Sequence, residues 1–133
     1  MPVTWVVVAD GGQAKLFQTH GPVSDMTHVQ TISNTHERGD HRHAVEPDSK
    51  NHHLEEGFAM EIAELITKVA NENGFQQLVL VADPKFLGRL KSRLDASVSK
   101  RIVGTVNKDY VNMPEHELGE RIQKQLGEPE KEG

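Results

Sequence analysis

The stretch that decides the fold is TWVVVA at residues 4–9, which leads directly into Asp10. It is apolar without alternation, as expected for a central β-strand that is covered on both faces. Two later runs repeat the pattern, each followed closely by an aspartate: LVLVA at residues 78–82 before Asp83, and IVGTVN at residues 102–107 before Asp109. Strands of this kind belong to parallel sheets, so the sequence predicts an α/β protein.

Turn residues and hydrophobic periodicity place the other elements around these strands. Asp10-Gly11-Gly12 supplies a tight turn, so residues 13–18 are predicted to return as a hairpin, followed by an edge strand over about residues 26–33. Apolar residues recurring every three or four positions predict a helix over about residues 52–73, with Gly74 as its C-cap. A short helix is predicted to open at Pro84 and a final helix at about Pro114.

The order of these elements predicts a topology. If the first three strands alternate in direction, right-handed crossovers make the fourth and fifth strands, over residues 77–82 and 101–107, parallel to the first. The prediction is a single α/β domain over residues 1–127, with a mixed five-stranded sheet of order 3-2-1-4-5 and flanking helices. Residues 128–133 are predicted to form a disordered tail.

Composition excludes several classes of protein. At 133 residues the chain suits one domain, and the absence of cysteine excludes disulfides and thiolate metal or redox sites. The net charge of -5 disfavours nonspecific adhesion of the whole molecule to nucleic acid or anionic lipid. No segment resembles a signal peptide or reaches the ~20 apolar residues of a membrane span, so we expect a cytoplasmic protein without membrane contact.

A long polar segment over residues 34–53 holds five of the eight histidines. Connections of this length inside a compact domain are usually functional or disordered. Imidazole is a common nitrogen ligand for zinc or nickel, and a nearby carboxylate can complete such a site. The candidate ligands are His41, His43, His52 and His53, with Asp40 or Asp48. The alternative interpretation is a solvated flexible loop without metal.

The three strand-end aspartates support two interpretations. Because the carboxyl ends of parallel strands meet at one edge, Asp10, Asp83 and Asp109 are predicted to lie along it and to hold Mg²⁺ for phosphodiester cleavage. In the alternative, Asp10 shapes a turn, Asp83 caps the helix begun by Pro84, and Asp109 pairs with a nearby base. No acidic residue lies inside a predicted strand, which favours the non-catalytic alternative.

Residues 85–101 form a basic strip with six of the fifteen basic residues and one acidic residue, Asp95. Within it, Lys85, Arg89 and Arg93 are spaced four residues apart, which places them on one outward face of the predicted helix. Contact with RNA phosphates requires basic side chains on one face. The predicted RNA-binding residues are Lys85, Arg89, Arg93, Lys100 and Arg101. The alternative is a solvated helix face.

Three sequence blocks are characteristic when they are taken together. They are TWVVVADG at residues 4–11, LVADPKFLGRL at residues 80–90, and NKDY at residues 107–110 with PEHEL at residues 114–118. Together they resemble the bacterial host-attachment protein family over nearly the whole chain. The resemblance implies a role in attachment to host cells and kinship with the archaeo-eukaryotic peptide-chain release factors. It also implies the middle-domain fold of those factors, a ribonuclease-H-like α/β architecture.

Release factors of that lineage resemble one another in a Gly-Gly-Gln tripeptide, which lies in the long loop before the first major helix. Here Gly11-Gly12-Gln13 lies in the first hairpin turn, and residues 34–53 lack the tripeptide. We interpret these glycines as turn residues, so peptidyl-tRNA hydrolysis by that route is not expected.

The sequence therefore favours a non-catalytic binding module that contacts RNA or the ribosome. A metal-dependent nuclease or phosphodiesterase that uses the aspartates is the enzymatic alternative, and a factor needed for attachment to host cells is the third. No cofactor is predicted beyond a divalent metal ion. The sequence leaves the oligomeric state open.

Overall fold

The computed structural model describes residues 2–35 and 47–127, with side chains from Leu54 onward in the second range. Within these residues the sheet strands are β1 Thr4–Ala9, β2 Gln13–Thr19, β3 Thr27–Ser33, β4 Gln77–Ala82 and β5 Ile102–Val106. The α-helices are α1 Pro47–Asn71, α2 Pro84–Ser92, α3 Ala96–Ser99 and α4 Glu115–Gly127, and a short 3-10 helix spans Val23–Asp25.

The five strands form one mixed sheet with the order β3-β2-β1-β4-β5. The first three strands are an antiparallel meander, because β1 pairs antiparallel with β2 and β2 antiparallel with β3. β4 runs parallel to β1, and β5 runs parallel to β4. The predicted strand order and directions are confirmed, and with them the α/β fold class.

The central strand is covered on both faces, which explains its unbroken apolar sequence. All six residues of β1 are buried. Trp5, Val7 and Ala9 pack with the apolar side chains of α1 and α2, whereas Val6 and Val8 pack on the opposite face with those of α4. Because both faces of β1 contact helices, the strand has no polar alternate positions.

Both edges of the sheet carry an extra residue that interrupts regular pairing. Leu16 pairs with Gln30 and the next residue of β2 pairs with His28, which leaves Val29 of β3 without a partner in β2. At the other edge the same shift leaves Val103 of β5 unpaired with β4. These valines are 43% and 57% exposed. Such irregularities bend an edge strand and disfavour edge-to-edge association.

Helix α1 begins earlier than the sequence predicted. Its first residue is Pro47, where periodicity placed the start near His52, so the polar segment predicted over residues 34–53 is too long. The prediction was wrong because the first two turns carry no apolar stripe, although proline suits a first turn.

The end of α1 also differs from the prediction. Asn73 adopts the left-handed conformation with φ 61°, and Gly74 follows it. The backbone N–H of Gly74 donates to the carbonyl of Val69 at 2.8 Å, and that of Asn73 donates to Ala70 at 2.9 Å, the two bonds of a Schellman motif. Gly74 is still needed, because a Cβ there would lie 2.5 Å from the Val69 side chain.

Two short elements have no counterpart in the prediction. Both α3 and the 3-10 helix are too short to show a hydrophobic period. The carboxylate of Asp95 accepts the backbone N–H of Val98 at 3.0 Å and so caps α3. Among the helices within residues 2–35 and 47–127, none combines the length and apolar composition needed to cross a bilayer. The tail predicted at residues 128–133 lies outside the described residues.

Candidate functional site

Two of the predicted aspartates meet at the carboxyl ends of β1 and β4. Ala9 and Ala82 are partners in the parallel register, so Asp10 and Asp83 leave adjacent strands side by side. Both line one cavity of about 390 Å³, which we call the strand-end cavity. Its lining residues are Asp10, Gly11, Gly12, Asn34, Leu54, Glu55 and Asp83.

Asp10 holds the turn between β1 and β2. Its Oδ1 accepts the backbone N–H groups of Gly12 at 2.8 Å and Gln13 at 2.9 Å. The Gly11-Gly12-Gln13 tripeptide therefore belongs to the first hairpin, as its position in the sequence indicated, with the two glycines in the turn and Gln13 at the start of β2. Asn34 reinforces the turn, because its side-chain amide donates to the carbonyl of Gly11 at 2.9 Å.

Asp83 caps helix α2. Its Oδ2 accepts the backbone N–H of Phe86 at 3.2 Å, and Pro84 occupies the first turn of the helix. Asp109 does not join the other two aspartates, because it is exposed and is not among the residues that line the strand-end cavity. The edge therefore brings together two of the three predicted carboxylates, and both bind backbone N–H groups.

Glu55 adds a third carboxylate to the strand-end cavity, and sequence reasoning missed it. It comes from α1, and only the packing of α1 against the sheet brings it near the strand ends. Among the side chains that the structure describes, those of residues 2–35 and 54–127, no three histidine, aspartate or glutamate residues are arranged to hold a metal ion.

The side chains of the predicted histidine ligands are not among those that the structure describes. His41, His43 and Asp40 fall outside the described residues. Asp48, His52 and His53 belong to the first turns of α1, for which the backbone alone is described. A metal site at the histidines remains a prediction.

Arg89 does not face outward, contrary to the prediction from its spacing. The residue is 8% exposed, and its Nη1 donates to Oε2 of Glu56 at 2.7 Å. Its Nε lies 3.7 Å from a carboxylate oxygen of Glu55. Arg93 Nη2 donates to Oε1 of the same Glu56 at 2.8 Å. Spacing showed that Arg89 and Arg93 share a face, but not that α1 covers this face with glutamates.

The arginines change the acidity of Glu56. The hydrogen bond from Arg93 lowers the pKa of Glu56 most, burial opposes that shift, and the hydrogen bond from Arg89 lowers the pKa further. Glu56 therefore stays ionised and holds α2 against α1.

Arg101 also has a structural role. Its Nη1 donates to the backbone carbonyls of Ala70 at 3.1 Å and Phe75 at 2.8 Å. The guanidinium carbon lies 5.8 Å from the centroid of the Phe75 ring, within cation–π range. Arg101 thus connects the segment before β5 to the last turn of α1 and to the segment between α1 and β4.

The exposed bases of the strip lie elsewhere on α2 and beyond it. Lys85, Arg93 and Lys100, all predicted, are exposed, although Arg93 is also paired with Glu56, and Lys91, which was not predicted, is exposed as well. At about 100° per residue, Lys85 and Lys91 lie at the two ends of an arc of about 120° with Gly88 at its centre, and we call this arc the α2 outer face. A helical projection that allowed for α1 as a neighbour would have found Lys91.

Fold and site together define an α/β protein with structural carboxylates at its strand ends and a basic outer face on α2. Residues 5–122 match the sequence profile of a family described as protein required for attachment to host cells. The match covers most of the chain, so the protein belongs to this family. No curated protein matches the sequence.

The fold is shared with solved archaeal structures. A crystal structure of the archaeal translation termination factor aRF1 superposes with a TM-score of 0.56 at 10% identity, over 93% of this chain and 36% of that one. A structure described as an archaeal protein gives a TM-score of 0.52 at 10% identity, over 92% of this chain and 36% of that one. At such identity the likeness shows the fold alone, and this chain spans 36% of either neighbour's length.

Proposed function

We propose that this protein is a non-catalytic binding module whose α2 outer face contacts RNA of the translation apparatus. The observation that carries the proposal is the exposure of Lys85 and Lys91 on one face of a helix that contains no acidic residue. RNA phosphates are neutralised by basic side chains presented in this way.

The other contacts at this edge support a binding role over a catalytic one. Asp10 and Asp83 use their carboxylates to close a turn and to cap a helix. Arg89 and Arg101 are engaged in internal contacts, and Arg93, although exposed, is paired with Glu56, so we assign the partner contact to the lysines. The structural likeness to a translation termination factor supports a ribosomal partner.

Co-sedimentation with purified ribosomes over a series of salt concentrations tests the proposal. The double variant Lys85→Ala/Lys91→Ala removes the two lysines of the α2 outer face. Lys68→Ala/Lys124→Ala removes two exposed lysines from α1 and α4 and is the matched control. We expect the parent to bind less tightly as salt rises, and the first variant to lose about two units of the logarithmic salt slope, one for each phosphate contact.

The control variant should bind like the parent. Binding that does not depend on salt, or that both double variants retain equally, would remove the RNA proposal.

The enzymatic alternative rests on the acidic strand-end cavity, where Asp10, Asp83 and Glu55 converge. A nuclease would need these carboxylates to hold Mg²⁺ or Mn²⁺. We expect the parent to leave RNA and bis(p-nitrophenyl) phosphate intact with either metal. Metal-dependent cleavage by the parent that disappears in Asp10→Asn and Asp83→Asn would replace the binding module with an enzyme.

The family description leaves open where the protein acts during attachment. We propose a cytoplasmic location, in keeping with a ribosomal partner. Treatment of intact cells with protease should leave the protein undigested, whereas lysed cells should lose it. Digestion on intact cells would favour direct adhesion to the host surface.

A further inference from the structure

Gly88 lies in the middle of α2, on the outer face between Lys85 and Lys91. Apart from proline, glycine is the least favourable residue for a helix interior, because it loses the most backbone freedom on folding. A glycine at such a position is therefore to be explained either by packing within the protein or by contact with a partner.

The packing of the described residues supplies no such reason. A Cβ built on Gly88 would meet no described atom within 4 Å beyond its chain neighbours and the backbone of its own helix, and the backbone there is helical. Gly119 in α4 shows the contrary case, because its Cβ would lie 3.0 Å from the carbonyl oxygen of Val23 and 3.1 Å from that of Ser24. A methyl group at position 119 would press on backbone oxygens, whereas a methyl group at position 88 would press on none of the described residues.

We infer that Gly88 is the point where the phosphodiester backbone of an RNA lies directly against helix α2, an inference that rests on the proposed RNA-binding function. Lys85 and Lys91 are separated by about 9 Å along the helix axis, and Gly88 is midway between them. A sugar-phosphate strand held by both lysines passes over Gly88, where a side chain would keep it away from the helix.

The charges of this surface fit a polyanion. α2 contains no acidic residue, and the aspartates at either side of it are used as caps. Asp83 accepts the backbone N–H of Phe86, and Asp95 accepts that of Val98. The outer face also lacks the large apolar side chains that anchor protein partners, since its other exposed residues are Pro84 and Ser92.

The test uses Gly88→Ala and Gly88→Gln, which add a small and a long uncharged side chain at this point. Both residues favour a helix over glycine, so we expect both variants to melt roughly 2–4 °C above the parent. Binding to purified, protein-free ribosomal RNA should weaken about five- to tenfold in Gly88→Ala, as in an overfilled contact, and further in Gly88→Gln. We therefore expect each Gly88 variant to have a higher melting temperature than the parent and a weaker affinity for ribosomal RNA.

Gly127→Ala is the matched control, because Gly127 is exposed at the end of α4 and a Cβ there also meets none of the described residues within 4 Å. It should bind ribosomal RNA like the parent. Loss of binding in this control would overturn the assignment of Gly88 as the contact point.

The other outcomes separate this inference from the proposed function. If Lys85→Ala/Lys91→Ala binds ribosomal RNA weakly but both Gly88 variants bind like the parent, the proposed function stands and the inference is wrong. If the parent binds ribosomes but not protein-free RNA, and Gly88→Ala weakens ribosome binding, the occupant is a ribosomal protein and the RNA inference fails. If the parent binds neither, both proposals fail.

Discussion

At the ends of the central strands, aspartate side chains fold back onto the chain that follows them. Asp10 accepts the N–H groups of Gly12 and Gln13, and Asp83 accepts that of Phe86. A carboxylate that accepts a backbone hydrogen bond compensates an N–H group that would otherwise lack a partner at a turn or helix start. Two of the carboxylates that make the strand-end cavity acidic therefore serve as acceptors for nearby backbone N–H groups.

The cap on α2 can be measured. Replacing Asp83 with alanine should lower the free energy of unfolding by about 1 kcal/mol, because the N–H of Phe86 loses its acceptor. Asp83→Asn should lower the free energy of unfolding by only a few tenths of that amount, since an amide oxygen also caps a helix. Urea denaturation monitored by circular dichroism provides both values, and equal losses in the two variants would show that the charge, not the cap, matters.

Glu56 makes the stability of the protein depend on pH. Its pKa is lowered in the folded state by its contacts with Arg93 and Arg89, so the ionised form stabilises the fold at pH values above the ordinary pKa that the carboxyl has in the unfolded chain. This contribution is lost as the pH falls through the lowered folded pKa. The free energy of unfolding of the parent should therefore exceed that of Glu56→Gln at pH 7, and the gap should narrow below about pH 4.

A gap between parent and Glu56→Gln that stays constant from pH 7 to pH 3 would contradict this role. Glu64→Gln serves as the control, because Glu64 is an exposed glutamate of the same helix.

At the scale of elements, the short helix α2 presents different side chains to three environments, which are the core, helix α1 and solvent. Phe86 and Leu90 contact the core, Arg89 pairs with α1, and Lys91 remains in solvent. Each set shares a side of the helix because of the helical period. The period gives their relative positions but does not identify the element that covers each side.

Helix α4 depends on a glycine for its close packing. Gly119→Ala should lower the free energy of unfolding by about 1 kcal/mol or more, although alanine favours a helix, because the new methyl group would press on the backbone oxygens of Val23 and Ser24. Gly127→Ala in the same helix should be neutral or slightly stabilising, since its Cβ presses on none of the residues that the structure describes. Thermal unfolding of both variants would test the contrast, and a stabilised Gly119→Ala would show that α4 moves away at little cost.

At the scale of the whole molecule, the burial of the strands decreases from β1 at the centre of the sheet to β3 at its edge. β1 is hydrogen-bonded to β2 and β4 and is buried on both faces, whereas six of the seven residues of β3 are exposed. Local opening requires less free energy where fewer apolar contacts are broken.

Amide hydrogen exchange should follow this gradient. We expect the amides of β1 and β4 to exchange most slowly and those of β3 at least about a hundredfold faster. Mass spectrometry of peptic fragments resolves the three strands, with β4 as the internal reference for β1. Protection of β3 equal to that of β1 would indicate that another copy or a partner covers this edge.

The sequence alone determined the strands, their order and the turn and cap roles open to Asp10 and Asp83, because apolar runs, turn residues and caps are local signals. Crossover handedness then left few topologies to choose from. Only the tertiary structure decided that Arg89 is buried against Glu56, that Glu55 reaches the strand-end cavity, and that Lys91 belongs to the exposed basic face. The physical reason is that helical periodicity specifies which residues share a side, whereas the packing of distant segments decides which side meets solvent and which meets another helix.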